Sequence, residues 1–275
     1  MIPPTPGLAD VKYHTYETIF DNDILPERLC VLGTGPVGCE LAQAYAFLGS
    51  KVTIFGQHLM GKEHAGAREV IRRVFEKEGI EWVPERPSRV ENLVGLSSGA
   101  GAEGGGGGKV GALLPRRPTI AVIAGRRRVT CDMLLVCTGR RSKVDGMALT
   151  KAGIELSAKQ GLRTNDYLAT NVPHVFACGD CIEGMPQFTH LAGKQGFVAA
   201  RNALFPGKSV GWNSGVVNPR CTFTSPEVAS VGLSPEDATA KYGSGEVMTV
   251  RRDNGKIDRS LCDDDVDGFV EMTVR

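Results

Sequence analysis

The sequence predicts an α/β fold whose main body is a three-layer domain built on a parallel sheet. Two patterns carry this. Short β-branched and apolar runs alternate with stretches of helical periodicity. A glycine turn, Gly33-Thr34-Gly35-Pro36-Val37-Gly38, sits where the first strong strand gives way to the first helix. The length of 275 residues suits one large domain or two ordinary ones, enough to bury a core.

Composition narrows the class. With 41% hydrophobic and 23% charged residues, the chain has the mix of a soluble globular protein. A net charge of +1 argues against a nucleic-acid surface or a polybasic membrane tether. No apolar run approaches the ~18–20 residues of a membrane-spanning helix. The first twenty residues show no secretory signal, and a soluble protein of the cytoplasm or an organelle is expected. The 35 glycines are an excess. Part of it lies at 95–108, GLSSGAGAEGGGGG, which is expected to be a disordered insertion.

The elements follow in order. Residues 1–26 are Pro-rich at the start and read as a linker. Arg28–Leu32, RLCVL, suits a buried strand. A helix follows, with Val37, Leu41, Ala44 and Leu48 on one face and Gly49 at its C-terminal cap. Lys51–Phe55 reads as the second strand. A helix over 68–78 puts Val70, Val74 and Phe75 inward and stops at Gly79, and 80–83 is a third strand. Strands at 119–124 and 129–137 are joined at Gly125-Arg126. A strand at 175–177 and a helix carrying Leu191, Val198, Ala199 and Leu204 form the next block. The last block closes on a strand at 268–274.

Strand, glycine turn, helix and strand in this order form the context of a dinucleotide fingerprint, so the domain reads as Rossmann-like. Gly33 allows the tight turn, Gly35 lets a pyrophosphate approach bare backbone, and Gly38 lets the helix lie against the strand. The helix N-terminus offers free N–H groups to the phosphates. The alternative is a glycine turn that merely packs. An NAD site usually places a carboxylate at the end of the second strand. Here that position is Gly56, followed by Gln57 and His58, with Lys62 nearby. This favours NADP, with His58 and Lys62 as candidates for a 2′-phosphate. The alternative is that both are solvated loop residues.

The order of motifs resembles the FAD-dependent (class I) pyridine nucleotide–disulfide oxidoreductases. Within the family it leans toward mercuric reductase-like and dihydrolipoyl dehydrogenase-like members. Gly33 to Ala42 resembles the family's nicotinamide-nucleotide fingerprint, and Glu40 matches a position near the nicotinamide. Cys137-Thr138-Gly139-Arg140-Arg141 resembles the segment where the chain leaves the nucleotide domain, with Ser142-Lys143 in place of the usual Pro-Asn. Val175 to Asp180 resembles the second flavin motif, which implies that Gly179 and Asp180 contact FAD. Gln187, Phe188, Thr189 and His190 match the stretch beside the isoalloxazine ring. Phe223 to Gly232 is similar to the start of an α+β dimerisation domain.

The resemblance implies four parts: a linker at 1–26, an NAD(P)-binding domain at 27–138, the C-terminal part of an FAD-binding domain at 139–212, and the beginning of a dimerisation domain at 216–275. It implies a parent that transfers hydride from NAD(P)H to FAD and on to a redox-active disulfide. A small disulfide or a metal ion is the implied acceptor, and a homodimer the implied assembly. The family's first glycine fingerprint, its C-x-x-x-x-C pair and its His-x-x-x-x-Glu couple have no match in these 275 residues. The chain is therefore expected to be a fragment without catalytic residues of its own. A non-catalytic NAD(P)-binding module, or an incomplete gene model, is the competing expectation.

Two remaining motifs are given no site. Cys178-Gly179-Asp180-Cys181 is a C-x-x-C by spacing, but its Gly-Asp already has the flavin reading, and the five histidines show no metal spacing with the cysteines. Arg126-Arg127-Arg128 reads as a solvated hairpin turn, not a nucleic-acid patch.

Overall fold

The structure, a computed structural model, describes residues 1–93, 119–158, 161–212 and 217–275. The glycine-rich segment at 95–108 lies outside the described residues. Two compact units emerge: residues 1–139 with 221–228 and 233–275, and residues 140–220 with 229–232.

The first unit holds a five-stranded parallel sheet. Its strands are β1 (His14–Thr15), β2 (Arg28–Leu32), β3 (Lys51–Phe55), β4 (Glu81–Val83) and β8 (Met133–Val136), in the order β1-β8-β2-β3-β4. Both β2 and β3 are apolar almost throughout because both of their faces are covered. Period-two alternation sorts their side chains. Leu29, Val31, Val52 and Ile54 pack with Cys39 and Ala42 of helix α1 (Pro36–Phe47) and Ile71 and Phe75 of helix α2 (Ala65–Lys77). Cys30, Leu32 and Phe55 pack on the other face with Val90, Val122 and Cys131. Those residues belong to an antiparallel sheet of β5 (Arg89–Asn92), β6 (Ile120–Ala124) and β7 (Arg127–Cys131). The layers are thus helices, parallel sheet and antiparallel sheet. Residues 1–26 contribute the edge strand β1 and the core side chains Leu8, Val11 and Ile19.

Three local readings change. The buried face of α1 is Gly38, Cys39, Ala42 and Gln43, while Ala44 and Leu48 are exposed. Small residues let this helix approach the sheet closely, so the larger apolar residues do not mark its inner face. The run at 129–137 divides at Asp132, which sends β7 and β8 into different sheets. Asp132 is held there by the Arg28 backbone N–H at 3.0 Å and its guanidinium at 2.6 Å. The third change is that 175–177 forms no ladder, only the single bridge Ala169↔Phe176.

Other expected elements are found. Pro36 opens α1, and Gly49 follows its end at φ +102°. Helix α2 starts three residues earlier than expected and buries Val70, Ile71, Val74 and Phe75. Gly125, at φ +54°, turns the β6–β7 hairpin. Strands Met248–Asp253 and Phe269–Val274 pair antiparallel.

The second unit packs Ile154, Leu162, Leu168, Ala177, Ile182 and Ala199 into one core. Its helix α3 (Thr189–Leu204) buries Leu191, Gln195, Ala199 and Asn202, whereas Leu204 is exposed. Among the described residues, no helix is long and apolar enough to cross a membrane.

Candidate functional site

The glycine turn is built where β2 leaves the sheet. Cys137 N–H donates to Leu32 O at 2.7 Å, and Gly33 N–H donates to Phe55 O at 2.9 Å. Gly33 sits at φ +113°, and a Cβ there would lie 2.4 Å from Cys137 O. A Cβ on Gly38 would lie 2.0 Å from Gly33 O. These two glycines serve the protein's own packing. Gly35 differs. Its backbone is extended, at φ −78° and ψ −179°, and a Cβ there would meet nothing within 4 Å. It is the N-cap of α1 and no side chain caps that end. Pro36 has no N–H, so the N–H groups of Val37 and Gly38 are the first the helix offers, at the positive end of its dipole.

Thr34 is buried, and its carbonyl accepts from Met60 N–H at 2.8 Å while its hydroxyl donates to His58 O at 2.8 Å. Gly56 is also buried, with its N–H on Val83 O and its carbonyl on Trp82 Nε1 at 2.8 Å. His58 and Lys62 are exposed on the loop that follows. Gly139, at φ +112°, has open space where a Cβ would go, and its carbonyl accepts from the Met1 amino group.

Glu40 is occupied by a tertiary contact, its Oε1 accepting from Phe223 N–H at 2.9 Å. Gln43 clamps the same segment: Oε1 accepts from Ser225 N–H at 2.7 Å and Nε2 donates to Ser225 O at 2.8 Å. Gln43 escaped the sequence reading. Its signal is a polar residue one position after Ala42, on the buried face of α1. Burial pushes the thiols of Cys39 and Cys137, on either side of the turn, up to about 12.

The flavin-motif residues lie in the second unit. Gly179, at φ +75°, donates its N–H to Gln195 Oε1 at 2.7 Å. Asp180 is exposed, with Oδ2 3.7 Å from Arg140 Nη1, and its carbonyl accepts from Ser142 Oγ at 2.9 Å. Arg140 Nη2 also donates to Gln187 O at 2.8 Å, so Arg140, Asp180 and Gln187 come together. Thr189 begins α3. Phe188 stacks on His190 with ring centroids 5.5 Å apart, and His190 Nε2 lies 2.7 Å from Asn218 Oδ1. Gln195 is a further residue the sequence reading missed. It is fully buried and its Nε2 has no hydrogen-bond partner. Its signal is an amide in the stripe Leu191, Gln195, Ala199. Cys181 Sγ donates to Cys178 O at 3.1 Å, so the C-x-x-C thiol is engaged with backbone.

The chain matches the model of a family described as pyridine nucleotide-disulphide oxidoreductase over residues 1–196. It matches that family's dimerisation domain over 218–275. It is 32% identical over 275 residues to mercuric reductase of Shigella flexneri, covering 99% of this chain and 44% of the relative. It is 33% identical over 227 residues to dihydrolipoyl dehydrogenase of Bacillus subtilis, covering 81% of this chain and 44% of the relative. Among solved structures, the Cu(II) complex of the HOCl-induced flavoprotein disulfide reductase RclA from Escherichia coli superposes with a TM-score of 0.82. Its identity is 21%, over all of this chain and 57% of that one, a likeness of fold. The chain spans about half the length of the proteins it matches.

Proposed function

This chain belongs to the pyridine nucleotide-disulphide oxidoreductase family, and on that premise we propose that it binds a nicotinamide nucleotide on the turn from Gly33 to Gly38. The family's cofactors are FAD and NAD(P). When bound, the nicotinamide supplies a hydride and the flavin accepts one. The observation that carries the proposal is the contrast among the three glycines. Gly33 and Gly38 are bare because protein backbone fills their space, but Gly35 is bare against open space at an uncapped helix N-terminus. That opening fits a pyrophosphate, which would take hydrogen bonds from the first turn of α1 and benefit from its dipole.

The other roles follow from position. Gly56 carries no carboxylate to bind a ribose 2′-hydroxyl or to repel a 2′-phosphate, and His58 and Lys62 are exposed beside it. NADP is therefore the preferred nucleotide. Glu40 anchors the segment at Phe223, and the open backbone at Gly139 borders the nucleotide. In the second unit the exposed Asp180 carboxylate is suited to accept hydrogen bonds from flavin ribityl hydroxyls. The turn at Gly179 presents it, and the stretch from Gln187 to His190 borders the ring. The domain parts are a nucleotide domain at 27–138, a flavin-domain part at 139–212 and a dimerisation part at 216–275. The parent activity is NAD(P)H-dependent, flavin-mediated reduction of a disulfide or a metal ion by a homodimer.

Titration of the purified chain with NADP⁺, NAD⁺ and FAD tests this, read by calorimetry and by flavin absorbance. Saturable NADP⁺ binding, tighter than NAD⁺, with uptake of FAD is expected. Nucleotide binding without flavin uptake would reduce the chain to a nucleotide-binding module. Binding of none of the three would refute the reading.

A further inference from the structure

Position 56 is empty for a reason that lies in the glycine turn. A Cβ on Gly56 would stand 2.4 Å from Thr34 Oγ1, 2.8 Å from Thr34 Cγ2 and 3.1 Å from Thr34 Cβ. Neither partner is free to yield. The Gly56 backbone is held by its N–H on Val83 O at 3.1 Å and by Trp82 Nε1 on its carbonyl at 2.8 Å. The Thr34 side chain is held by its hydroxyl bond to His58 O, and its backbone by Met60 N–H. Both residues are buried, so the collision has no outlet to solvent.

We propose that Thr34 is the residue that sets nucleotide class, by excluding any side chain, and so any carboxylate, from position 56. The same side chain does a second thing. Its hydroxyl donates to His58 O and so ties down the loop that carries His58 and Lys62, while the Thr34 backbone carbonyl, accepting from Met60 N–H, holds Met60 in its left-handed conformation at φ +48°. One threonine thus removes the group that would repel a 2′-phosphate and fixes the loop whose cation would attract one. This rests on the reading that the turn from Gly33 to Gly38 binds a nicotinamide nucleotide.

The test is a pair of mutant cycles on the full chain, read by thermal melting and by calorimetric Kd for NADP⁺ and NAD⁺. The first combines Thr34→Gly with Gly56→Ala and needs no ligand. Gly56→Ala alone is expected to lower the melting temperature, and Thr34→Gly/Gly56→Ala to melt no lower than Thr34→Gly alone. Additive effects would overturn the interlock. The second introduces Gly56→Asp. In the Thr34 background it is expected to lower the melting temperature and weaken both nucleotides. In the Thr34→Gly background it is expected to move the Kd ratio toward NAD⁺ by roughly 10- to 100-fold, the span of one charged hydrogen bond. A Gly56→Asp single variant that melts like wild type and switches preference unaided would overturn the assignment of Thr34. Wild-type protein that binds neither nucleotide would overturn the nucleotide reading and the specificity role with it, and one that prefers NAD⁺ would overturn the specificity role alone, while the first cycle reports the interlock in either case. Should Thr34→Gly fail to fold, Thr34→Ala removes the 2.4 and 2.8 Å contacts and leaves only the 3.1 Å one. It is then paired with Gly56→Ala and with Gly56→Asp, with the same expected signs.

Discussion

Gly35 and Gly38 stand three residues apart in one motif, yet substituting them is expected to do opposite things. In Gly38→Ala the new Cβ would lie 2.0 Å from Gly33 O, where real contacts stay above 3.0 Å, so backbone must withdraw by at least 1 Å. Gly33 is held in place, because its N–H donates to Phe55 O at 2.9 Å and Cys137 backbone packs where a Cβ would stand. Helix α1 must therefore lift off the sheet and loosen Cys39 and Ala42 in the core. Overpacking of this kind costs about 1–3 kcal/mol, and at about 2–4 °C per kcal/mol the melting temperature should fall by about 2–12 °C. Gly35→Val meets nothing within 4 Å, and its φ of −78° is one valine adopts freely. Its loss as an N-cap, up to ~1 kcal/mol, is offset by ~0.4–1 kcal/mol of reduced unfolded-state freedom. The melt should fall by no more than about 2 °C. The valine does fill the space proposed for the pyrophosphate. Losing even one charged hydrogen bond there, worth about 1.5–3 kcal/mol, raises Kd roughly 10- to 100-fold. Calorimetric titration with NADP⁺ beside a thermal melt separates the two variants. A Gly35→Val protein that binds NADP⁺ like wild type would refute the site, and one that melts as low as Gly38→Ala would refute the division of labour among the glycines.

Two further outcomes follow from burial. Burial raises the Glu78 carboxyl against the opposing pull of its hydrogen bonds from Gln43 Nε2 at 2.8 and 3.0 Å. The folded state then holds this proton more tightly than the unfolded chain, so the contribution to stability is lost as pH rises from about 4.5 through the raised value. Glu78→Gln should gain stability relative to wild type across that window, measured by melts at stepped pH, and a constant difference would contradict it. The cysteines should divide by exposure under a disulfide-exchange reagent at pH 8. Cys178 and Cys262 are exposed and should react first. Cys39 and Cys137, pushed up to about 12, hold about one thiolate in ten thousand at that pH and should wait for unfolding. Mass mapping that found Cys39 labelled as fast as Cys262 would count against its burial.

Much of the fold was legible because it is written locally. Apolar runs such as RLCVL and KVTIF are strands buried on both faces whatever their partners. Gly49 and Gly79 end helices by a conformation that a single residue sets. The errors lie where distant residues decide. Asp132 breaks the run 129–137 because Arg28, far away in sequence, receives its carboxylate. The inner face of α1 follows the closeness of the sheet, which favours Gly38 and Ala42 over Leu48.

The candidate site divides along the same line. The sequence by itself determined that a strand, a glycine turn and a helix meet at residues 28–47, since that pattern needs only neighbours in the chain. Only the tertiary structure decided what each glycine is for. Gly33 and Gly38 are bare because Cys137 and Gly33 backbone approaches them, Gly56 because Thr34 does, and Gly35 because nothing does. A missing Cβ looks the same in every sequence. What stands in its place is set by the packing of strands β2, β3 and β8, which meet only when the sheet is formed.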